Sequence, residues 1–254
     1  MKNNRRDFIK KSSAIAAVIS ATGIPAFAEK GISEKPTKPK SFVRDACIKF
    51  TELMSVDSPR VPFCRQLDVK YSVSGVLRME GKNPWDPEVI KATKAAWDKT
   101  GIKWYVVEGP PSLGTKTKLG LDGRDEEIAN FITFMKNLKK YGDVDTICYN
   151  WMPVISWART NKEYVGRGGA LMLEFDYNVM KQAPVTEYGE VSKERLWTNL
   201  EYFVKAVMPE AEKIGMKLSM HADDPQVDKI QGISRIMNTI SGYNRLLAMY
   251  PKSC

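Results

Sequence analysis

The chain reads as an α/β protein of the (β/α)8 TIM-barrel type, and three observations carry that reading. Short apolar runs alternate with amphipathic helical stretches, and the repeating unit of about 30 to 40 residues is the usual length of one βα unit. The helical stretches close near glycines, at Gly101, Gly142 and Gly215. No Gly-x-Gly-x-x-Gly follows the first strand and no Gly-rich loop carries Lys-Ser/Thr, which counts against a nucleotide-binding doubly wound sheet.

In order along the chain, residues 48–53 are a weaker first strand and residues 69–77 a second. Residues 87–100 carry apolar side chains at helical spacing, ending at Gly101. A strand is predicted over 102–108, a helix over 124–140 and a strand over 145–149. The long interruption at 151–191, with Gly166-Arg167-Gly168-Gly169 and Pro184, reads as an extended β-to-α loop. At the carboxyl end of a barrel strand such a loop is a favoured place for substrate-binding residues, although a surface loop or an inert lid has the same composition. A helix over 193–214, a strand over 216–221 and a last helix over 233–249 complete the pattern.

That makes about five β/α units, whereas a closed barrel takes about 250 residues in eight. The expectation is therefore an incomplete barrel, in a chain shortened relative to a longer protein. Open strand edges and apolar helix faces would then favour pairing with another copy of the chain, a homo-oligomer.

The amino terminus reads as an export signal. Arg5-Arg6-Asp7-Phe8 is a twin-arginine pattern, followed by a moderately apolar run over 14–24 and a small-x-small site at Ala26-Phe27-Ala28. The run is far short of the roughly 20 residues a membrane span needs. Cleavage after Ala28 is expected, with a solvated Lys/Pro linker over 29–44, a partial barrel over 45–254, and a periplasmic location reached by the twin-arginine route.

The formal net charge of +9 overstates the basicity of the mature form. Residues 1–28 hold five Lys/Arg and one Asp, so 34 basic and 29 acidic residues remain, a net of +5. The excess is spread out, apart from the Lys-rich 35–40 segment, and lacks the clustered basic residues interleaved with aromatics of a nucleic-acid binder. Nucleic acid is not an expected partner, and no segment after the signal could cross a membrane. Cys47, Cys64, Cys148 and Cys254 lie far apart without CxxC spacing, so a zinc ribbon or thioredoxin-like site is unsupported. Cys148, in an apolar run, reads as a buried small hydrophobe.

Chemistry concentrates at His221, the one histidine of the chain. A short apolar strand delivers it into Ala222-Asp223-Asp224-Pro225, and the carboxyl ends of barrel strands are where such folds place their reactive groups. Asp223 and Asp224 add hard oxygen ligands or acid/base groups beside an imidazole nitrogen. A histidine in such a place also serves as a hydrogen-bonded structural residue, and two aspartates before a proline also make a solvated turn.

The run Cys148-Tyr149-Asn150-Trp151-Met152-Pro153-Val154, followed by Ser156-Trp157-Ala158-Arg159-Thr160, resembles the fourth-strand signature of the D-mannonate dehydratases. The resemblance continues through Lys118-Leu119-Gly120-Leu121 with Gly123-Arg124-Asp125, Asn199-Leu200 with Tyr202-Phe203, and His221-Ala222-Asp223-Asp224-Pro225. It covers roughly residues 70–250 in order; Trp151, Ser156, Ala158 and Ala222 depart from the family pattern.

The resemblance implies a xylose-isomerase-like barrel that dehydrates D-mannonate to 2-dehydro-3-deoxy-D-gluconate in hexuronate catabolism, with Mn²⁺ or Fe²⁺ as cofactor. It implies His221 as a metal ligand, Asn150 and Arg159 as substrate-binding residues, and Asp223 and Asp224 as catalytic carboxylates that hold substrate hydroxyls or orient the metal's surroundings. Arg159 has the planar fork for a sugar-acid carboxylate, and equally for a structural salt bridge. Tyr149, Trp151, Met152 and Trp157 read as wall. The family's remaining ligands, a Cys, a His and an Asp, fall on later strands, so weak or absent activity of this polypeptide alone is expected. A sugar isomerase or epimerase of the same superfamily, or a non-catalytic periplasmic sugar-acid binder, are the competing readings.

Overall fold

The computed structural model describes residues 48–251; the predicted signal segment, the whole linker over 29–44, Cys47 and Cys254 lie outside the described residues. Among these residues, five strands form one sheet: β1 (Thr51–Leu53), β2 (Tyr71–Val73), β3 (Lys103–Glu108), β4 (Thr146–Tyr149) and, after the hairpin β5 (Asn161–Val165) with β6 (Leu171–Glu174), β7 (Lys217–Met220). The sheet order is β1-β2-β3-β4-β7, every pair is parallel, and Thr146 lies opposite both Val106 and Lys217. Each strand therefore lies beside its predecessor in the sheet without the order reversal of a doubly wound fold, which makes the sheet an arc of a TIM-type barrel.

The connecting helices are α1 (Arg60–Gln66), α2 (Pro87–Thr100), α3 (Thr115–Leu119), α4 (Arg124–Asn137), α5 (Tyr177–Met180), α6 (Lys193–Ile214) and α7 (Ile240–Met249). Helix α2 begins on Pro87, whose missing N–H costs nothing in a first turn. Helix α6 starts on Ser192, whose side chain accepts the Arg195 amide at 3.1 Å, a cap worth about 1 kcal/mol.

Apolar faces of α2, α4 and α6 close over one side of the sheet. Ile90, Trp97, Val107, Phe131, Phe134, Ile147 and Val207 are fully buried, each adding about 1.5–3 kcal/mol of burial free energy. Phe203 of α6 is the hub, with ring centroids 5.1 Å from Phe131, 5.4 Å from Trp151 and 5.7 Å from Tyr149. This cluster fixes the end of β4 from below.

Several elements differ from the sequence-based expectation. Strand β2 keeps only three residues, because the Val69 amide is bonded to Cys64 O beneath α1 and the Leu77 amide goes to the Thr93 hydroxyl. The helix expected over 124–140 ends at Asn137 and runs on as a π-turn, Leu138–Gly142. The final helix begins at Ile240, capped by Thr239, since Ile233–Ser234 is strand β9, paired with β8 (Lys229–Ile230). Its buried apolar residues Ile233, Ile236 and Met237 belong to extended chain and loop. The interruption after β4 contains the β5–β6 hairpin and α5, with Val165, Leu171 and Leu173 exposed.

Apolar side chains remain exposed on both flanks of the arc. Ile48, Phe50 and Leu53 are exposed around β1. Beside β7 runs a groove of about 670 Å³ lined by Val204, Met208, Leu218, Met220, Leu246 and Leu247.

Candidate active site at the carboxyl ends of β4 and β7

The pairing of β4 with β7 continues one step past the strands, where the His221 amide donates to Tyr149 O at 2.7 Å. That bond sets His221 beside Asn150, the residue following β4. Nδ1 of His221 lies 2.6 Å from Ala222 O, which suits an Nδ1–H donor and leaves the lone pair on Nε2. The indole of Trp157 meets the imidazole edge-on, with centroids 4.7 Å apart and planes at 79°. Trp157 reaches it from a left-handed backbone conformation at φ 55°, an uncommon state for a large side chain.

The acidic turn is stitched to the chain following β4. Arg159 Nη1 and Nη2 donate to Asp224 Oδ1 and Oδ2, each at 2.8 Å. The Trp157 amide donates to Asp224 O at 3.2 Å, and the Asp224 amide lies 3.2 Å from Met152 Sδ. The Asp224 carboxylate holds Arg159 above the usual guanidinium range. Arg159, expected to grip a substrate carboxylate, thus grips one within the chain, and both Asp224 oxygens are engaged.

Asp223 turns inward and is buried. Its Oδ2 accepts the Met237 amide at 2.6 Å while Oδ1 has no hydrogen-bond partner among the described residues. Burial pushes its carboxyl above the usual range, opposed by the Met237 amide and by the positive charge of Arg235. Arg235 is itself fully enclosed: Nη2 donates to Ile155 O at 2.6 Å, and among the described residues Nε and Nη1 have no hydrogen-bond partner.

Asn150 Oδ1 accepts two hydrogen bonds, from the Met152 amide at 3.0 Å and from Lys118 Nζ at 2.9 Å. The first is the local turn that asparagine side chains favour; the second brings in a buried lysine from the β3–α4 connection. Helix α3 is held at both ends to deliver it. Glu127 Oε2 accepts the amides of Gly114 and Thr117 at 3.2 and 2.8 Å. From α6, Arg195 donates to Leu119 O, at 2.8 Å from Nη2, and Asn199 Nδ2 donates to Lys118 O at 3.2 Å. Burial lowers the Lys118 ammonium to about 8, an effect that Glu127 and Asp223 partly offset and Arg235 reinforces.

Cys148 is half-buried rather than enclosed, and burial followed by the Glu108 carboxylate pushes its thiol up to about 11, which keeps it protonated at neutral pH. Tyr149, Trp151 and Met152 are buried wall, as expected, while Trp157 is partly exposed at the rim. Among the described residues no group of three or more His, Cys, Asp or Glu could hold a metal ion. His221 offers one imidazole nitrogen, so the described residues do not by themselves fit a Mn²⁺ or Fe²⁺ centre.

The structure therefore brings His221, Asn150, Arg159, Asp223 and Asp224 to one rim. Sequence reasoning passed over two cations of that rim. Lys118 stands in the sequence only as the first residue of Lys118-Leu119-Gly120-Leu121, and Arg235 as one charge inside the apolar run Ile233-Ser234-Arg235-Ile236-Met237.

Comparison with known proteins gives a consistent pattern. The family described as D-mannonate dehydratase (UxuA) matches residues 64–187 and 181–254. A mannonate dehydratase of Streptococcus uberis is 35% identical over 189 residues, covering 65% of this chain and 53% of that protein. One from Oceanobacillus iheyensis is 33% identical over 205 residues, covering 72% of this chain and 58% of that protein. The crystal structure of mannonate dehydratase from Streptococcus suis superposes with a TM-score of 0.72 at 26% identity, over 80% of this chain and 61% of that one. The chain spans about half the length of the curated relatives it matches.

Proposed function

Because the chain belongs to the D-mannonate dehydratase family, we propose that its rim binds D-mannonate and serves its dehydration to 2-dehydro-3-deoxy-D-gluconate, a hydro-lyase reaction of hexuronate catabolism. The observation that carries this reading is the convergence of His221, Asn150 and Lys118 at the carboxyl ends of neighbouring strands, where barrel folds place substrate.

The reaction removes the proton next to a carboxylate and expels hydroxide from the adjacent carbon, which leaves with a proton as water. Both proton transfers need positioned groups, and the developing enediolate needs positive charge. In this assignment Asn150 and Lys118 contact the sugar acid, while Asp223, with one carboxyl oxygen unbonded, is the acid/base group or hydroxyl acceptor. Asp224 acts through Arg159 as a positioning residue, shaping the segment that carries Trp157 against His221. Mn²⁺ or Fe²⁺ is the proposed cofactor, with His221 Nε2 the ligand these residues supply toward it; the other ligands are not found among the described residues. Export by the twin-arginine route to the periplasm, and assembly as a homo-oligomer through the exposed flanks of the sheet, are proposed on the amino-terminal sequence and the exposed apolar residues.

The test is turnover. This chain supplied with Mn²⁺ or Fe²⁺ and D-mannonate is expected to yield the 3-deoxy product at a low rate, because the described residues supply a single metal ligand, with D-fructose and D-tagatose left unchanged. Epimerisation of either ketose without dehydration would favour an epimerase, and D-mannonate binding without either reaction would favour a sugar-acid binder.

A further inference from the structure

Lys118 and Arg235 are the two cationic side chains among the described residues that are more than nine-tenths buried, at 7% and 0% exposure. Both lie at the rim and neither forms a salt bridge among the described residues, whereas Arg159 is saturated by Asp224. Carboxylates lie near both, Glu127 and Asp223 for Lys118 and Asp223 and Asp224 for Arg235, but none pairs with either cation directly. A buried cation without a direct ion pair carries a desolvation cost that an anion visiting the site would offset.

We propose that Lys118 is the carboxylate-binding residue of the site, with Arg235 behind it as a positioning residue that adds positive charge. The proposal rests on the sugar-acid reading and deepens it by moving the acid group away from Arg159. The Lys118 ammonium has three N–H donors, and its one hydrogen-bond acceptor among the described residues is the neutral Asn150 amide oxygen. Helix α3, which carries it, is clamped by Glu127 at one end and by Arg195 and Asn199 at the other, so the ammonium is held in place before any ligand arrives. Arg235 ties the β9 segment to the post-β4 loop through Ile155 O. Its two unpartnered nitrogens leave its charge uncompensated by any direct contact. A carboxylate bound by Lys118 would have its neighbouring carbons directed along Asn150 toward His221.

The experiment is calorimetric titration of full-length chain with D-mannonate and with the neutral polyol D-mannitol. The wild type is expected to prefer D-mannonate. Lys118→Gln should weaken D-mannonate by about 10- to 100-fold, the range for loss of a charge-assisted hydrogen bond, leave D-mannitol unchanged, and keep or raise the melting temperature. Asn150→Asp, which gives the ammonium an internal carboxylate, should weaken the acid at least as much in a chain that stays folded, and Lys118→Arg should keep the preference for acid over polyol. Unchanged D-mannonate affinity in Lys118→Gln or in Asn150→Asp overturns the proposal while leaving the family substrate intact. If D-mannonate fails to bind but D-gluconate binds in a Lys118-dependent manner, the substrate assignment falls and the carboxylate site stands. Absence of binding by either acid overturns the proposal.

Discussion

Arg159 meets Asp224 fork to fork across 65 positions of sequence, with two hydrogen bonds of 2.8 Å. The pair closes the segment following β4 onto the turn following β7, and the Trp157 amide, bonded to Asp224 O, lies within the same closure. Its consequence is that the side chain with the right shape for a substrate carboxylate is already occupied, and the charge available to an acid comes from the buried lysine instead.

Side chains of the pair are 20% and 31% exposed, so solvent screening limits its worth. Arg159→Gln and Asp224→Asn are each expected to lower stability by about 1 kcal/mol, with a coupling of similar size in the double mutant. Chemical denaturation of the four proteins measures this. Purely additive losses would show that the two groups do not depend on each other. D-mannonate affinity in Arg159→Gln should fall by less than in Lys118→Gln.

Gly120 ends α3 at φ 67°, and a Cβ there would lie 2.4 Å from Asn199 Oδ1. Gly120→Ala therefore combines a left-handed backbone with a collision against the side chain that holds Lys118 O. The expected loss is about 2 kcal/mol, accompanied by weakened D-mannonate binding even though residue 120 touches no ligand. Thermal melting together with titration separates this from a surface substitution, which would change neither.

Lys118 contributes a pH dependence of defined sign. Its ammonium titrates at about 8 in the folded chain against an ordinary value of 10.5, so the unfolded chain binds more protons between those values. The burial penalty, about 3 kcal/mol from that difference, is complete below pH 8 and fades as pH rises toward 10.5. Lys118→Met should therefore melt higher than wild type at pH 7, with the advantage shrinking between pH 8 and 10.5. A mutant that melts lower throughout would assign Lys118 a structural role.

Ser192→Ala removes the side-chain acceptor of the Arg195 amide at the start of α6. A loss of about 1 kcal/mol is expected. D-mannonate affinity should largely hold, because Asn199, which holds Lys118 O, lies beyond the frayed first turn that contains Arg195; a loss of affinity matching that of Lys118→Gln would show that the whole helix moves.

Helices α2 and α6 were legible to the residue, because an amphipathic stripe, an initial Pro87 or Ser192 and a terminal glycine agree in each. The strand order followed from the alternation of elements. Residues 233–237 were not legible: Ile233, Ile236 and Met237 have helical spacing but are buried from extended chain and loop, held by pairing with Val191 and Ile230 that lies outside any local window. At the rim, the strand-end position of His221 and Asn150 could be read from the apolar runs preceding them. The engagement of Arg159 with Asp224, and the burial of Lys118 and Arg235, depend on contacts between distant segments and carry no local pattern.

The most direct measurement is a crystal structure of the full-length chain grown with D-mannonate. The account predicts the sugar acid at the carboxyl ends of β3, β4 and β7, its carboxylate on Lys118 Nζ and its chain running past Asn150 toward His221, with the Arg159–Asp224 pair intact. D-mannonate seated instead in the groove between α6, α7 and β7, or bound through Arg159 with Asp224 released, would contradict it.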